Sequence, residues 1–157
     1  MIYLIDGHNL IPHIRGLSLH DLDDEQSLVE ILQVFARVTR KKIEVYFDHA
    51  PAGQARTVKR GMIVVHFIQE KSTADQAIIR RLRDSGKKAR TYCVVTSDHH
   101  IQAETRAMHA SVIESGTFTK ELDKAITDHQ ATTIDSSNLS EDELQGWIEL
   151  FEKRKEN

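Results

Sequence analysis

The sequence predicts an α/β three-layer sandwich on a mainly parallel central sheet, and three observations predict it. Short apolar, β-branched runs recur along the chain, segments with apolar residues at helical spacing separate them, and three of the runs end in an aspartate. Strands that alternate with helices imply right-handed crossovers, which pair the strands in parallel and put helices on both faces. Ligands bind such sheets at the carboxyl ends of the strands, so acids placed there sit where chemistry is expected.

The elements follow in order. Ile2 to Ile5 is a buried strand closed by Asp6-Gly7-His8-Asn9, read as a polar loop. Asp23 or Asp24 caps a helix in which Leu28, Ile31, Leu32 and Phe35 share one face, and it stops near Arg40. Ile43 to Phe47 is a second strand, ending in Asp48 and followed by the turn Pro51-Ala52-Gly53. Met62 to Ile68 is a third. Ser72 with Asp75 forms a capping-box pattern for a helix through Ala77, Ile78 and Leu82, which Gly86 ends. Thr91 to Thr96 is the clearest strand and runs into Ser97-Asp98, then a helix with Ile101, Ala103 and Met108. Val112-Ile113 is a short strand, Leu122, Ala125 and Ile126 mark a later helix, and Thr132 to Asn138 reads as a loop. At the C-terminus Ser140 and Glu143 precede Leu144, Trp147, Ile148 and Phe151, an apolar stripe on a helix over about residues 140–155 expected to pack on the body.

With no repeat, no low-complexity tract and only two prolines, residues 1–157 read as one domain. No stretch approaches the roughly 18 apolar residues of a membrane span, and Asp6 interrupts the first apolar run before it could serve as a signal-peptide core. The single cysteine, Cys93, excludes an intramolecular disulfide framework and a Cys-rich zinc site, so a reducing, cytoplasmic setting is expected. The formal net charge of −3 hides an uneven distribution: from Arg37 to Arg90 there are 14 Lys and Arg against 5 Asp and Glu, leaving 7 against 19 elsewhere. A basic middle on an acidic chain suits an anionic polymer.

Asp6, Asp48 and Asp98 each follow an apolar strand, and Asp75 lies in the first turn of a helix that starts at the same sheet edge. Singly, each reads as a cap or turn residue. Together they repel, and a cation would neutralise them. Hard oxygen donors select Mg²⁺ or Mn²⁺, which keep waters for hydrolysis of a phosphodiester.

Leu4-Ile5-Asp6-Gly7-His8-Asn9-Leu10 resembles the opening motif of NYN-domain ribonucleases, in particular the YacP-like branch of the PIN-like superfamily. Val45-Tyr46-Phe47-Asp48, Ser72-Thr73-Ala74-Asp75 with Ile78, and Val94-Val95-Thr96-Ser97-Asp98 resemble its later motifs, in order, over about residues 1–126. The resemblance implies a PIN-like fold and a metal-dependent endoribonuclease acting on single-stranded RNA, with the ribosome as a partner of some relatives. It implies Asp6, Asp75 and Asp98 as the catalytic, metal-binding acids, Asp48 as a further ligand, Asn9 orienting the metal shell or a phosphate, and Thr96 or Ser97 supporting Asp98. Gln76 stands where many relatives have another acid, which points to a weaker or single-metal site. Arg56, Lys59 and Arg60, placed in a loop after the second strand, and Arg80 on the Asp75 helix are the candidates for RNA phosphate contacts, with Arg81 and Arg83 nearby.

Other readings fit less well. Asp98-His99-His100 spells the motif of DHH phosphoesterases, which need a second domain, and Asp6-Gly7-His8 lacks the second acid of a haloacid-dehalogenase phosphatase. The nine histidines include no H-x-x-x-H pair, and no phosphate-binding glycine loop for a nucleotide cofactor occurs. The alternative from another class is a non-catalytic RNA- or ribosome-binding module whose acid cluster is silent.

Overall fold

Alternation along the strands decides which side chains each helical layer receives. A computed structural model describes residues 1–17, 23–50, 53, 55–69, 71–133, 146, 149 and 150. Its six strands are β1 (Ile2–Asp6), β2 (Lys42–Phe47), β3 (Thr57–Arg60), β4 (Ile63–Phe67), β5 (Tyr92–Val95) and β6 (Ser111–Ile113), in the order β3-β4-β2-β1-β5-β6. All neighbours run parallel except the β3–β4 hairpin. The helices are α1 (Gly7–Leu10), α2 (Asp24–Thr39), α3 (Ala74–Ser85), α4 (His99–Ala107) and α5 (Ser115–Thr133).

Ile5, Val45, Val65 and Val95 point to one face, where they pack with Leu28, Ile31, Leu32 and Phe35 of α2 and Phe118, Leu122 and Ile126 of α5. Leu4, Tyr46 and Val94 point to the other, against Ile78 and Leu82 of α3 and Ile101 of α4. Each fully buried aliphatic side chain contributes roughly 1.5–3 kcal/mol, so a one-residue slip of any central strand would be heavily penalised. Tyr3, Phe35 and Phe118 lock the first face, with ring centroids 5.2–6.0 Å apart. On the second, Glu44 accepts from Arg81 Nε at 3.2 and 3.3 Å and lies 3.2 Å from His66 Nε2, tying α3 to the sheet. Burial works against the Glu44 charge, yet His66 and Arg81 hold its carboxyl below the ordinary range. Cys93 is buried inside β5, and burial pushes its thiol up to about 11, as suits a packing residue.

Several sequence expectations need correction. Gly7 to Leu10 is not a loop: Asp6 caps a helical turn directly after β1. Helix α3 is capped by Thr73, whose side chain accepts from the Gln76 N–H, so the start lies one residue beyond the Ser72 box. Lys59 and Arg60 lie in β3, not in a loop; this antiparallel edge strand carries no apolar run, since three of its four residues are exposed. Thr132 and Thr133 still belong to α5. Pro51 and Ala52, residues 134–138 of the expected loop, and most of the C-terminal helix, including Trp147, lie outside the described residues. Leu150 packs against the α2–α5 core. Among the described residues no helix is long and apolar enough to cross a membrane.

Candidate active site

Strand order reverses beside β1, so the crevice at the carboxyl ends of β1 and β5 is the natural place for a ligand. Asp6 closes β1 and caps α1, accepting the Asn9 N–H at 3.3 Å. The turn can be this abrupt because residue 7 is glycine: a Cβ there would collide with the Phe47 ring. Asp6 is thereby only 8% exposed.

Alternation then turns Asp6 and Asp48 to the α3 side, with Leu4 and Tyr46. Asp48 Oδ1 accepts the backbone N–H of Ala74, the first residue of α3, so an acid at the end of β2 fastens the helix that carries Asp75. The Asp75 carboxylate meets that of Asp6. Burial first, then Asp75, then the Asp48 charge, push Asp6 up to about 7, while the Asn9 N–H pulls the other way. Asp75 Oδ1 is buried and has no hydrogen-bond partner among the described residues. A buried polar oxygen without a partner is costly, and its carboxyl group lies against that of Asp6.

Asp98 is exposed at the N-terminus of α4, where its Oδ1 accepts from the N–H groups of His100 at 2.9 Å and Ile101 at 3.2 Å. Thr96 Oγ1 accepts the Asp98 N–H at 3.1 Å, and Gln102 Nε2 donates to the Thr96 carbonyl at 2.9 Å, so Thr96 is tied to the Asp98 backbone and to α4. Asp75 and Asp98 line one cavity of about 610 Å³ between α3 and α4, together with Arg80, Arg83, His100 and Glu104. Asn9 links the two halves. Its Oδ1 accepts the Ser97 N–H at 3.0 Å and the Ser115 hydroxyl at 2.7 Å, which commits the amide oxygen and leaves the NH₂ group as what Asn9 can offer a phosphate or a water.

The structure thus brings Asp6, Asp48 and Asp75 together and sets Asp98 across the cavity from Asp75. Of the basic candidates, Arg80 lines that cavity; Arg60 faces α2, and Arg56 and Lys59 are exposed and do not line it. Three participants were not foreseen. Buried Ser115 holds Asn9 across 106 residues of sequence; His8, which reads as an ordinary loop residue, lies 3.4 Å from Glu25. The Glu25 contact raises His8 against the opposing effect of burial, with Asp48 and Asp6 adding to it. No local signal marks Ser115, His8 or Glu25, because each acts through a partner distant in sequence.

Among the described residues no group of three or more His, Cys, Asp or Glu side chains is placed to hold a metal ion. The Asp6–Asp75 pair nevertheless has the character of a hard-cation site: oxygen donors only, Asp6 buried, and one buried Asp75 oxygen without a partner among the described residues. Mg²⁺ is commonly held by one or two carboxylates, with waters and substrate phosphate completing its octahedron, so two apposed acids suffice.

The family model described as YacP-like NYN domain matches residues 3–154. Among solved structures, the crystal structure of Rae1 (YacP) from Bacillus subtilis is similar over 99% of this chain and 91% of that chain, with a TM-score of 0.70 at 22% identity. A tryptophan-to-leucine mutant of the same Bacillus subtilis protein is similar over 98% and 92%, with a TM-score of 0.67 at 21% identity. No curated protein matches the sequence.

Proposed function

The chain belongs to the YacP-like NYN domain family, and from that premise we propose that it is a metal-dependent endoribonuclease that hydrolyses phosphodiester bonds of single-stranded RNA in the cytoplasm, acting as a single domain. One observation carries the reading: Asp6 and Asp75 are held against each other, with a buried Asp75 oxygen that has no hydrogen-bond partner among the described residues, and Asp75 lines a cavity that also presents Arg80 and Arg83. A purely structural pair of acids would have been given donors or been replaced by a neutral pair.

In this reading Asp6 and Asp75 would hold Mg²⁺ or Mn²⁺, with Asp98 and Asp48 as further acids of the site. When bound, such an ion supplies Lewis acidity toward the phosphate and a water of lowered pKa. The chain's own residues do the rest. Arg80 and Arg83, three apart on α3 and therefore on one face, would bind the phosphates flanking the scissile bond. The Asn9 NH₂, its carbonyl pinned by Ser97 and Ser115, would orient a non-bridging phosphate oxygen or a water. Asp98, which lines the cavity and whose backbone N–H donates to Thr96, would accept a proton from a water entering it. Messenger RNA on the ribosome is the setting we propose to test after free RNA.

The test is cleavage of an end-labelled, mixed-sequence single-stranded RNA by wild type and Asp75→Asn, with Mg²⁺, Mn²⁺ or EDTA. Metal-dependent cleavage that vanishes with Asp75→Asn supports the reading. No cleavage under any metal, with salt-sensitive RNA binding equal in both proteins, replaces it with the binding module.

A further inference from the structure

A second cavity, of about 350 Å³, lies on the opposite face of the sheet from the Asp75–Asp98 cleft, between α2 and the β3–β4 hairpin. Its floor is apolar: Val29, Val58 and Val65, with Phe47 beneath and Phe67 at one end. Phe47 and Phe67 are the last residues of β2 and β4 and stack at 5.9 Å and 25°, so this end opens at the same sheet edge as the acids. His8 bridges the two: its ring lies 5.4 Å from that of Phe47, its Nε2 contacts Glu25 on the cavity rim, and it feels the charges of Asp6 and Asp48. The rim on α2 carries Gln26 and Glu30, one turn apart, with Gln26 Nε2 donating to Glu30 Oε1 at 3.4 Å.

That pair has a chemical direction. An amide NH₂ beside a carboxylate presents donor, acceptor, acceptor, and the complementary order of acceptor, donor, donor is found on the Watson–Crick edge of guanine, through O6, N1–H and the 2-amino group. Adenine, cytosine and uracil edges lack two adjacent donors. Val58 and Phe67, the partly exposed side chains of that floor, offer an apolar surface to a base face, and unstacked RNA bases are read by stacking plus hydrogen bonds to that edge. Asp23, Glu25 and Glu30 line the cavity against one cation, Arg60, so its surround is net negative and disfavours a phosphate inside while admitting a neutral base.

We propose that this cavity is a guanine-binding subsite, which receives the base of a nucleotide near the scissile phosphate and selects where RNA is cut. It rests on the ribonuclease reading for its role but not for its binding test. Full-length ¹⁵N-labelled protein in EDTA is titrated with the 5′-monophosphates of guanosine, inosine, adenosine and cytidine, following backbone amides by NMR. Guanosine monophosphate is expected to shift the amides of Val29, Val58 and Phe67 and to bind about tenfold or more tightly than the inosine analogue, which lacks only the 2-amino group. Val58→Trp, which fills the cavity from the edge strand, should abolish the shifts. Glu30→Gln, at an exposed position that does not threaten the fold, should bring guanosine and inosine to within about twofold. Asp75→Asn should change none of this, so failed RNA cleavage and a failed base site are told apart. Equal binding of all four nucleotides, shifts confined to residues of the α3–α4 cleft, or no shift at all overturns the proposal.

Discussion

Replacing Asp75 by asparagine in protein stripped of divalent metal should raise its melting temperature at about pH 8. Asp6 is carried from an ordinary 3.8 to about 7, roughly three pH units, and each unit corresponds to about 1.36 kcal/mol, so keeping Asp6 ionised in the fold costs up to about 4 kcal/mol. Burial leads the causes and Asp75 follows, so removing the Asp75 charge should return about 2 kcal/mol. For a chain of this size that is a rise of about 4–8 °C. The sign follows from linkage: because the folded pKa is raised, the stability that protonated Asp6 contributes is complete below 3.8 and is lost as pH rises through about 7. The advantage of the variant should therefore open across that window and nearly vanish at about pH 5. Adding Mg²⁺ at tenfold excess over its dissociation constant should stabilise wild type by about 1.4 kcal/mol and the variant by much less. Thermal melts of both proteins at the two pH values, in EDTA and in Mg²⁺, check all of this. A variant less stable than wild type at about pH 8 in EDTA, or equally advantaged at both pH values, would refute the apposition argument.

Three further outcomes follow from other contacts. Ser115→Ala removes the buried 2.7 Å bond to Asn9 and should cost about 1–2 kcal/mol in urea unfolding, with RNA cleavage falling mainly in kcat because Asn9 loses its alignment. Gly7→Ala should cost about 1–3 kcal/mol, since the new methyl group must displace the Phe47 ring, and chemical denaturation will measure it. Glu44→Gln should destabilise by about 1 kcal/mol at neutral pH, because the lowered Glu44 pKa gives stability present above 4.5 and lost as pH falls through the folded value. The difference between the two proteins should close in acid, and a pH-independent difference would show that packing, not charge, is responsible.

The legible parts of the fold are those whose cause is local. β1, β2, β4 and β5 are runs of buried β-branched and aromatic residues, and α2 shows its apolar face at helical spacing, so their bounds move by no more than two residues. β3 has no such signature: Thr57-Val58-Lys59-Arg60 becomes a strand through its pairing with β4 across the left-handed Gly61. α1 is too short for periodicity and exists because Asp6 caps it. The acids were readable as strand ends, yet their pairing was not, since it depends on Asp48 seizing the start of α3 from 26 residues away. Ser115 and the His8–Glu25 contact were invisible for the same reason.

The hydrogen bonds to Asp6, Asp48 and Asp98 all arrive from helix N-termini, so each of these acids is at once a prospective reagent and a mechanical fastener. Truncation to alanine at any of them removes both roles together and costs about 0.5–2 kcal/mol of helix anchoring besides the charge. Asparagine keeps an oxygen for the same backbone N–H groups while giving up the negative charge. For this architecture the choice of substitution decides what an inactive variant means: an alanine scan of the acids reports on folding and chemistry mixed, and an asparagine scan separates them.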